Sequence, residues 1–190
     1  MAEAACIILA AGRAARFGSD KRQATGPWEG PLLHHIVKLY RPLFSQLAVV
    51  IRPHDAFGAD ACDGSGAVAL VNPEAERGMG RSLAIGAAWL RDIDAPCAVI
   101  ALGDMPWIAP GTISAIAAEG LAHRCPVAPV FRGLLGFPRA LPATLFSELA
   151  ALTGDRGASS LLDWEKARQL ECEDPGILRD IDTPADLTES

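Results

Sequence analysis

The sequence lacks several features that would assign it to a class at once. It has no uninterrupted apolar run of about 18 residues, so a transmembrane helix is not expected, and acidic Glu3 stands where a secretory signal would be basic. Positive charge is also scarce, because 17 Lys and Arg stand against 23 Asp and Glu, for a formal net charge of −6. This balance argues against a nucleic acid or an anionic membrane as the main partner. A small phosphorylated ligand is not excluded, since it needs only a few local cations.

Cysteines are few and widely spaced. There are five, and no two of them form a CxxC pair. They are Cys6, Cys62, Cys97, Cys125 and Cys172. An odd number of separated cysteines favours reduced thiols over a disulfide framework or a zinc site. We therefore expect a cytoplasmic protein.

Short apolar runs alternate with segments of helical spacing along the 190 residues, half of which are apolar. The runs are continuous and rich in Val and Ile, which is typical of strands buried on both faces of a parallel sheet; they span residues 4–10, 46–51, 67–71 and 95–102. Helical spacing is found over 32–44, 79–90 and 111–119. This order predicts one three-layer α/β domain over 1–190 with a mainly parallel, Rossmann-like sheet. Further along, the sequence predicts a strand over 126–130 and helices over 141–152, 158–165 and 182–187.

A loop rich in small residues and cations follows the first predicted strand, between Leu9 and Lys21. Gly12 lets the backbone approach a ligand, and consecutive N–H groups in such a turn can bind phosphate. Arg13, Arg16 and Lys21 add positive charge around it. The loop is neither a Walker sequence nor GxGxxG, so a plain turn with solvated charges is the alternative. Its place at the edge where open α/β sheets bind ligands favours a phosphate site.

Two acidic positions are candidate metal ligands. Asp104 follows the run 95–102, and a carboxylate at the carboxyl end of a buried parallel strand faces the ligand crevice. Mg²⁺ bridging phosphates is a natural partner for it, whereas capping of the following turn is the structural alternative. Near the end of the chain, Asp180 and Asp182 lie close together, and Asp182 could instead cap a terminal helix.

Five short motifs follow one another along the chain. They are LAAGxxxRxGxxK from Leu9, NPxxxxGMxxSL from Asn72, GDxP from Gly103, GDxGA from Gly154 and DIDTPxDL from Asp180. In this order they resemble the MobA-like NTP transferase family, which includes the molybdopterin cytidylyl- and guanylyltransferases. The resemblance implies a fold of the nucleotide-diphospho-sugar transferase type. It also implies that an NMP group passes from an NTP to a phosphorylated acceptor, with release of pyrophosphate.

The same resemblance implies roles for individual residues. The residues that would wrap the ribose and phosphates of the NTP are Leu9, Ala10, Ala11, Gly12, Arg16 and Lys21. Within this loop, Arg16 would meet the leaving pyrophosphate and Lys21 the α-phosphate, so these two and Asp104 are the predicted catalytic residues. Asp104 and Asp182 would hold Mg²⁺.

The second motif is implied to line the pocket for the nucleobase, with Asn72, Gly78 and Ser82 as the candidate contacts. Free N–H groups at a helix start, together with the Ser82 hydroxyl, can bind the polar edge of a base. Ser82 could equally be an ordinary polar residue in a first helical turn.

Two departures from the family pattern fall on the acceptor side. Relatives often carry Gly-His-Pro where this chain has Phe137 before Pro138, and they usually keep a Lys just before the position of Pro31. Phe137 and Pro138 are predicted acceptor contacts, because an apolar ring can stack on a flat group or close the pocket. Asp155 and Arg156 of the GDxGA motif are the other two, with a helix cap by Asp155 as the alternative.

The resemblance also suggests the substrates. Guanylyl members usually read LAGG and cytidylyl members LAAG, and the methyl group of Ala11 at the deciding position narrows the pocket and favours CTP. The expected acceptor is molybdopterin, which would bring transient contact with a molybdoenzyme or its chaperone. Two alternatives stay open: another phosphorylated small molecule as acceptor, and a non-catalytic module that binds a nucleotide or cofactor. A dinucleotide-binding oxidoreductase is disfavoured by the missing GxGxxG.

Overall fold

The first half of the chain builds the parallel part of one sheet. The computed structural model describes residues 3–12, 17–153 and 161–187. Four strands pair in parallel in the order β3-β2-β1-β4; they are β1 (Ala5–Leu9), β2 (Leu47–Ile51), β3 (Val68–Val71) and β4 (Cys97–Leu102). The four apolar runs therefore form strands as predicted. Because β1 and β4 are neighbours, the loops that follow them meet at one edge of the sheet.

The second half adds strands of mixed direction, giving an eight-stranded sheet. These strands are β5 (Val127–Phe131), β6 (Leu134–Leu135), β7 (Arg139–Pro142) and β8 (Arg168–Glu171). Strand β7 lies between β4 and β5 and runs antiparallel to both, whereas β8 pairs in parallel with β5. The order continues from β4 as β7-β5-β6.

Helices cover both faces of the sheet, which confirms the predicted three layers. They are α1 (Leu32–Tyr40), α2 (Ala56–Cys62), α3 (Met79–Asp92), α4 (Pro110–His123) and α5 (Phe146–Ala150). Apolar side chains of α1, α2 and α4 share one buried core with the sheet, and those of α3 and α5 share a second. Successive residues of β1, such as Ile7 and Ile8, belong to different cores. Because successive side chains of a strand point to opposite faces of the sheet, the two cores lie on opposite faces. Among the described residues, no helix has the length and apolar character needed to cross a bilayer.

The helix predicted over 141–152 was wrong in its first half. Leu141 and Pro142 belong to β7 and pair with Ala98 and Cys97 of β4. A short 3₁₀ helix over Ala143–Leu145 then leads into α5. The apolar spacing of this stretch suited a helix, but pairing with the central strand took precedence over local pattern.

Other parts of the prediction need smaller corrections. Within 158–165, the described residues from Leu161 onward include a 3₁₀ helix over Trp164–Lys166 and no α-helix. The terminal helix is a 3₁₀ helix over Pro184–Leu187. Helix α2 and strands β6 and β8 were not predicted.

Strand β3 is not buried on both faces, contrary to the sequence prediction. It lies at the edge of the sheet and pairs only with β2. Val68 and Val71 are 42% and 51% exposed. A continuous apolar run predicts a strand here correctly, but it does not distinguish an edge position from a central one.

Candidate active site

A cleft of about 720 Å³ opens at the carboxyl edge of the sheet, where β1 and β4 end side by side. The loop after β1, the start of α3 and the end of β4 form its walls. The lining residues are Leu9, Ala10, Ala11, Gly12, Lys21, Arg22, Ala75, Glu76, Gly78, Met79, Ser82, Leu102, Gly103 and Asp104. Most of the predicted nucleotide-binding residues therefore lie together around one cavity.

Gly103 brings the two loops into close contact. Its N–H donates to the carbonyl oxygen of Leu9 over 2.9 Å. A Cβ atom at this position would lie 2.9 Å from the Cβ atom of Ala10 and 3.1 Å from the Leu9 oxygen. The glycine before Asp104 is thus required by packing between β4 and the first loop.

Lys21 lies between the two predicted metal ligands. It begins a short 3₁₀ helix over Lys21–Gln23 that is capped by Asp20. Its Nζ atom donates to Oδ2 of Asp104 over 2.8 Å, to the carbonyl oxygen of Ile181 over 2.6 Å and to Oδ1 of Asp182 over 3.3 Å. Three motifs that are far apart in sequence therefore converge on one ammonium group.

The charges and burial of Lys21, Asp104 and Asp182 favour the binding of a further positive charge beside Asp104. Burial raises the pKa of Asp104, and the attraction of Lys21 offsets only part of this effect. Burial alone would lower the pKa of Lys21, but its contacts with Asp104 and Asp182 outweigh burial and raise it. The Oδ1 atom of Asp104 is buried and has no hydrogen-bond partner among the described residues. A buried carboxylate oxygen without a donor is a suitable ligand for a hard cation.

No group of three or more His, Cys, Asp or Glu side chains is arranged to hold a metal within residues 3–12, 17–153 and 161–187. A divalent ion at Asp104 and Asp182 would therefore complete its coordination with ligand oxygens or water. Mg²⁺ is commonly bound in this way, by one or two carboxylates together with substrate phosphates. The residues present fit such an ion.

The segment that carries Asp182 is tied to the end of β4. The N–H of Ile181 donates to the carbonyl oxygen of Asp104 over 2.9 Å. Asp186 then accepts hydrogen bonds from the N–H groups of Asp182 and Thr183, over 3.0 and 2.6 Å. These backbone donors lower the pKa of Asp186. The turn is thus closed by Asp186, which leaves the Asp182 carboxylate directed at Lys21, and Asp180 is exposed.

The predicted base contacts separate into two kinds. Gly78 and Ser82 line the cleft. Asn72 is 0% exposed and does not line it, which argues against the predicted direct contact. Its Nδ2 atom donates to Oγ of Ser82 over 2.9 Å, and its Oδ1 accepts from the N–H of Glu74 over the same distance. Asn72 therefore orients the Ser82 hydroxyl and the loop behind the pocket.

Two of the four predicted acceptor residues, Phe137 and Pro138, fall within the described residues. Phe137 is half-buried, Pro138 is buried, and neither is among the residues that line the cavity. The N–H of Phe137 donates to the carbonyl oxygen of Ile177 over 3.0 Å. The predicted contacts Asp155 and Arg156, and the predicted catalytic residue Arg16, lie outside the described residues.

Sequence analysis missed a buried ion-pair network beneath the first loop. Arg22 is 3% exposed and donates to both carboxylate oxygens of Asp20 and of Asp55. It also donates to the carbonyl oxygen of Ala10 over 3.1 Å. Arg52 forms a further ion pair with Asp20. The network thus connects the first loop to the N-terminus of α2, where Asp55 accepts from the N–H of Gly58 over 2.9 Å.

Local sequence carries only a partial signal for this network. Arg22 directly follows Lys21, and Asp55 immediately precedes α2. Nothing in local spacing indicates that these two residues meet, because the contact spans 33 positions.

The fold is that of the nucleotidyltransferases of the nucleotide-diphospho-sugar transferase type. Residues 6–171 match the family model described as the MobA-like NTP transferase domain. The chain belongs to this family, as the order of its motifs predicted.

Individual relatives share different fractions of the chain. A probable molybdenum cofactor guanylyltransferase of Chloroflexus aggregans is 34% identical over 121 residues, which cover 58% of this chain and 50% of that protein. The chain thus spans half of the length of that relative. The purine catabolism protein PucB of Bacillus subtilis is 28% identical over 201 residues, which cover 94% of this chain and 91% of PucB.

Solved structures include one of similar length. Rv0371c of Mycobacterium tuberculosis superposes with a TM-score of 0.78 at 27% identity, and the match covers 97% of this chain and 95% of Rv0371c. A structure of Rv0371c in complex with manganese matches with a TM-score of 0.70 at 25% identity, covering 90% of this chain and 88% of that one.

Proposed function

We propose that this protein transfers an NMP group, CMP in preference to GMP, from an NTP to the phosphate of a small acceptor, with release of pyrophosphate. Molybdopterin is the acceptor that we propose. The observation that carries the proposal is the convergence of Lys21, Asp104 and Asp182, the first two of which line the cleft. The relative named as a probable molybdenum cofactor guanylyltransferase supports the choice of acceptor, whereas the preference for CMP rests on Ala11 alone.

We further propose that Asp104 and Asp182 hold Mg²⁺. The buried, unpartnered Oδ1 of Asp104 supports this assignment, as does the manganese complex of Rv0371c. When bound, the ion would supply positive charge at the phosphates of the nucleotide.

The side chains of this protein would act by positioning and by charge. Lys21 lines the cleft with its ammonium group beside both carboxylates, and it would offset negative charge on the α-phosphoryl group. Arg16 would offset charge on the leaving pyrophosphate. The acceptor phosphate itself attacks the α-phosphorus in line, so no protein nucleophile is needed.

The choice of base is proposed to depend on Ala11. Its side chain is 2% exposed and forms part of the cavity wall with Ser82, whose hydroxyl is oriented by Asn72. A methyl group there takes up space that a purine would need. We therefore propose CTP as the preferred nucleotide.

Replacing Ala11 by Gly should relax the preference for CTP over GTP by about tenfold to a few hundredfold, the usual range for one small group in a pocket. The measurement is the ratio of the two dissociation constants by calorimetry, in wild type and in the variant. Equal binding of CTP and GTP by the wild-type protein would contradict the steric explanation.

Pyrophosphate release tests the proposed reaction directly. We expect the protein to release pyrophosphate from CTP when Mg²⁺ and molybdopterin are both supplied, and not when either is left out. Tight nucleotide binding without release, across molybdopterin and a panel of phosphorylated acceptors, would instead indicate a non-catalytic binding module. The apolar Phe137 at the usual position of His is the observation that favours this second function.

A further inference from the structure

Arg139 begins β7, which pairs with the strand that leads to Asp104. Arg139 pairs with Ile100 of β4. Asp104 follows Ile100 by four residues, which is about 13 Å from Ile100 at the usual rise of a strand. A second connection spans the same edge of the sheet. Ile177 accepts from the N–H of Phe137, and Ile181 donates to the carbonyl oxygen of Asp104, over 3.0 and 2.9 Å.

Arg139 also lies on the face of the sheet that carries α3, whose first turn forms one wall of the cleft. Its pairing partner Ile100 belongs to the buried core formed with α3 and α5. Residues opposite each other on neighbouring strands project to the same face. Ala11 of the first loop belongs to this core too. Arg139 is thus on the same face of the sheet as α3 and Ala11.

Two aromatic rings and one hydrogen bond hold the guanidinium group in place. Its Cζ atom lies over the rings of Phe137 and Trp164, 4.4 Å from each centroid. Its Nε atom donates to the carbonyl oxygen of Gly136 over 3.0 Å. Contacts of this kind fix the plane of the fork before a ligand arrives, which reduces the entropy lost on binding.

The rest of the fork has no partner within the described chain. There, no carboxylate pairs with Arg139, and neither Nη1 nor Nη2 makes a hydrogen bond, whereas Arg22 is fully paired. Burial lowers the pKa of Arg139, yet a guanidinium group remains charged at neutral pH. A half-buried cation without a counter-charge is costly unless a ligand supplies one.

We propose that Arg139, supported by Phe137 and Trp164, binds a second negatively charged group of the acceptor, distinct from the phosphate that reacts; in molybdopterin, which has one phosphate, this group would be the dithiolate. This inference rests on the proposed function. The free edge of the fork suits an anion that accepts two parallel hydrogen bonds. In this arrangement the Phe137 ring orients Arg139 and does not itself donate a hydrogen bond to the acceptor. Histidine at this position is therefore not required.

Acceptor kinetics provide the first test. Arg139→Met keeps the apolar stem between the rings but removes the charge, and it should raise the KM for molybdopterin by about 10- to 100-fold, with the affinity for CTP unchanged. Arg139→Lys should recover only part of this loss, because a lysine lacks the fork. Arg132→Met is the matched control, since Arg132 is exposed and lies over the Phe131 ring, 4.9 Å from its centroid. It should leave the KM unaltered.

A titration with inorganic phosphate tests the anion site without turnover. We expect the NMR resonance of the Arg139 Nε–H group to shift with phosphate and to saturate, at constant ionic strength set with chloride. The corresponding resonance of Arg132 should not saturate. If Arg139 shows no saturable shift, or if both arginines respond alike, the proposal is wrong.

The two tests separate this inference from the proposed function. If the wild-type protein transfers no NMP but Arg139 binds phosphate saturably, the reaction is wrong and the anion site stands. If the protein is active and Arg139→Met leaves the acceptor KM unchanged, the acceptor does not use Arg139 and the inference is overturned.

Discussion

The Asp104→Asn variant should fold normally and lose nearly all nucleotidyl transfer. The amide has the same shape as the carboxylate, and Lys21 would keep its hydrogen bonds to Ile181 and Asp182. What disappears is the negative charge proposed to hold Mg²⁺. We expect the turnover number to fall by at least about 10²–10³-fold, as when other groups that stabilise developing charge are removed. Pyrophosphate release at saturating Mg²⁺ measures the loss, and the melting temperature checks the fold.

Variants of two neighbouring carboxylates, Asp182 and Asp180, are the comparisons for Asp104→Asn. Asp182→Asn should show a milder defect with a raised requirement for Mg²⁺, because Asp182 lies further from Lys21 than Asp104 does, at 3.3 against 2.8 Å. Asp180→Asn should retain most of the activity, since Asp180 is exposed and acts on Asp104 through its charge. Near-normal activity of Asp104→Asn would refute the proposed metal site.

The Arg22→Met variant should lower the free energy of unfolding by about 3–5 kcal/mol, the usual cost of removing one partner from a buried ion pair. Arg22 and Asp55 have side chains only 4% and 5% exposed. Methionine would leave the Asp55 carboxylate with Arg52, 3.8 Å away, as its remaining counter-charge, so the lower end of this range is expected. The loop at Ala10 would also lose a hydrogen bond. Denaturant unfolding of the two proteins gives the difference.

An exposed ion pair in the same part of the chain provides the control. Lys38 and Glu29 form a 2.7 Å contact with side chains 71% and 84% exposed, so Lys38→Met should leave the stability essentially unchanged. A double-mutant cycle with Asp55→Asn then isolates the coupling between Arg22 and Asp55. A stability of Arg22→Met equal to that of Lys38→Met would show that the buried network contributes little.

The parallel half of the sheet could be predicted because each of its strands is marked locally. Four apolar runs rich in Val and Ile gave β1 to β4 within one or two residues at each end. In the second half only β5 was marked in this way, by the strand predicted over 126–130. Strand β7 contains Pro142 and only four residues, and it is defined by pairing with β4 and not by its own pattern. Long-range pairing of this kind leaves no periodic signal in a single sequence.

The candidate site was predictable wherever residues follow strand ends. Asp104 and Lys21 are brought together because β1 and β4 are neighbours, and the order of motifs indicated this before the fold was known. Their roles as catalytic and metal-binding groups stay predictions. Buried partners were less accessible to sequence. That Asn72 donates a hydrogen bond to Ser82, and that Arg139 lies over two rings, depends on contacts made only in the folded chain.

The position of β3 at the edge of the sheet affects how readily the backbone beside the candidate site opens to solvent. Backbone amides of β3 can exchange with solvent by local opening, because this strand pairs on one side only, whereas β4 is paired with β1 and β7. Asn72 continues directly from β3 and holds Ser82. Ser82 in the proposed base pocket is therefore attached to a strand whose backbone hydrogen bonds we expect to open more readily than those of β4, which precedes Asp104. A bound nucleotide would slow hydrogen exchange in β3 far more than in β4.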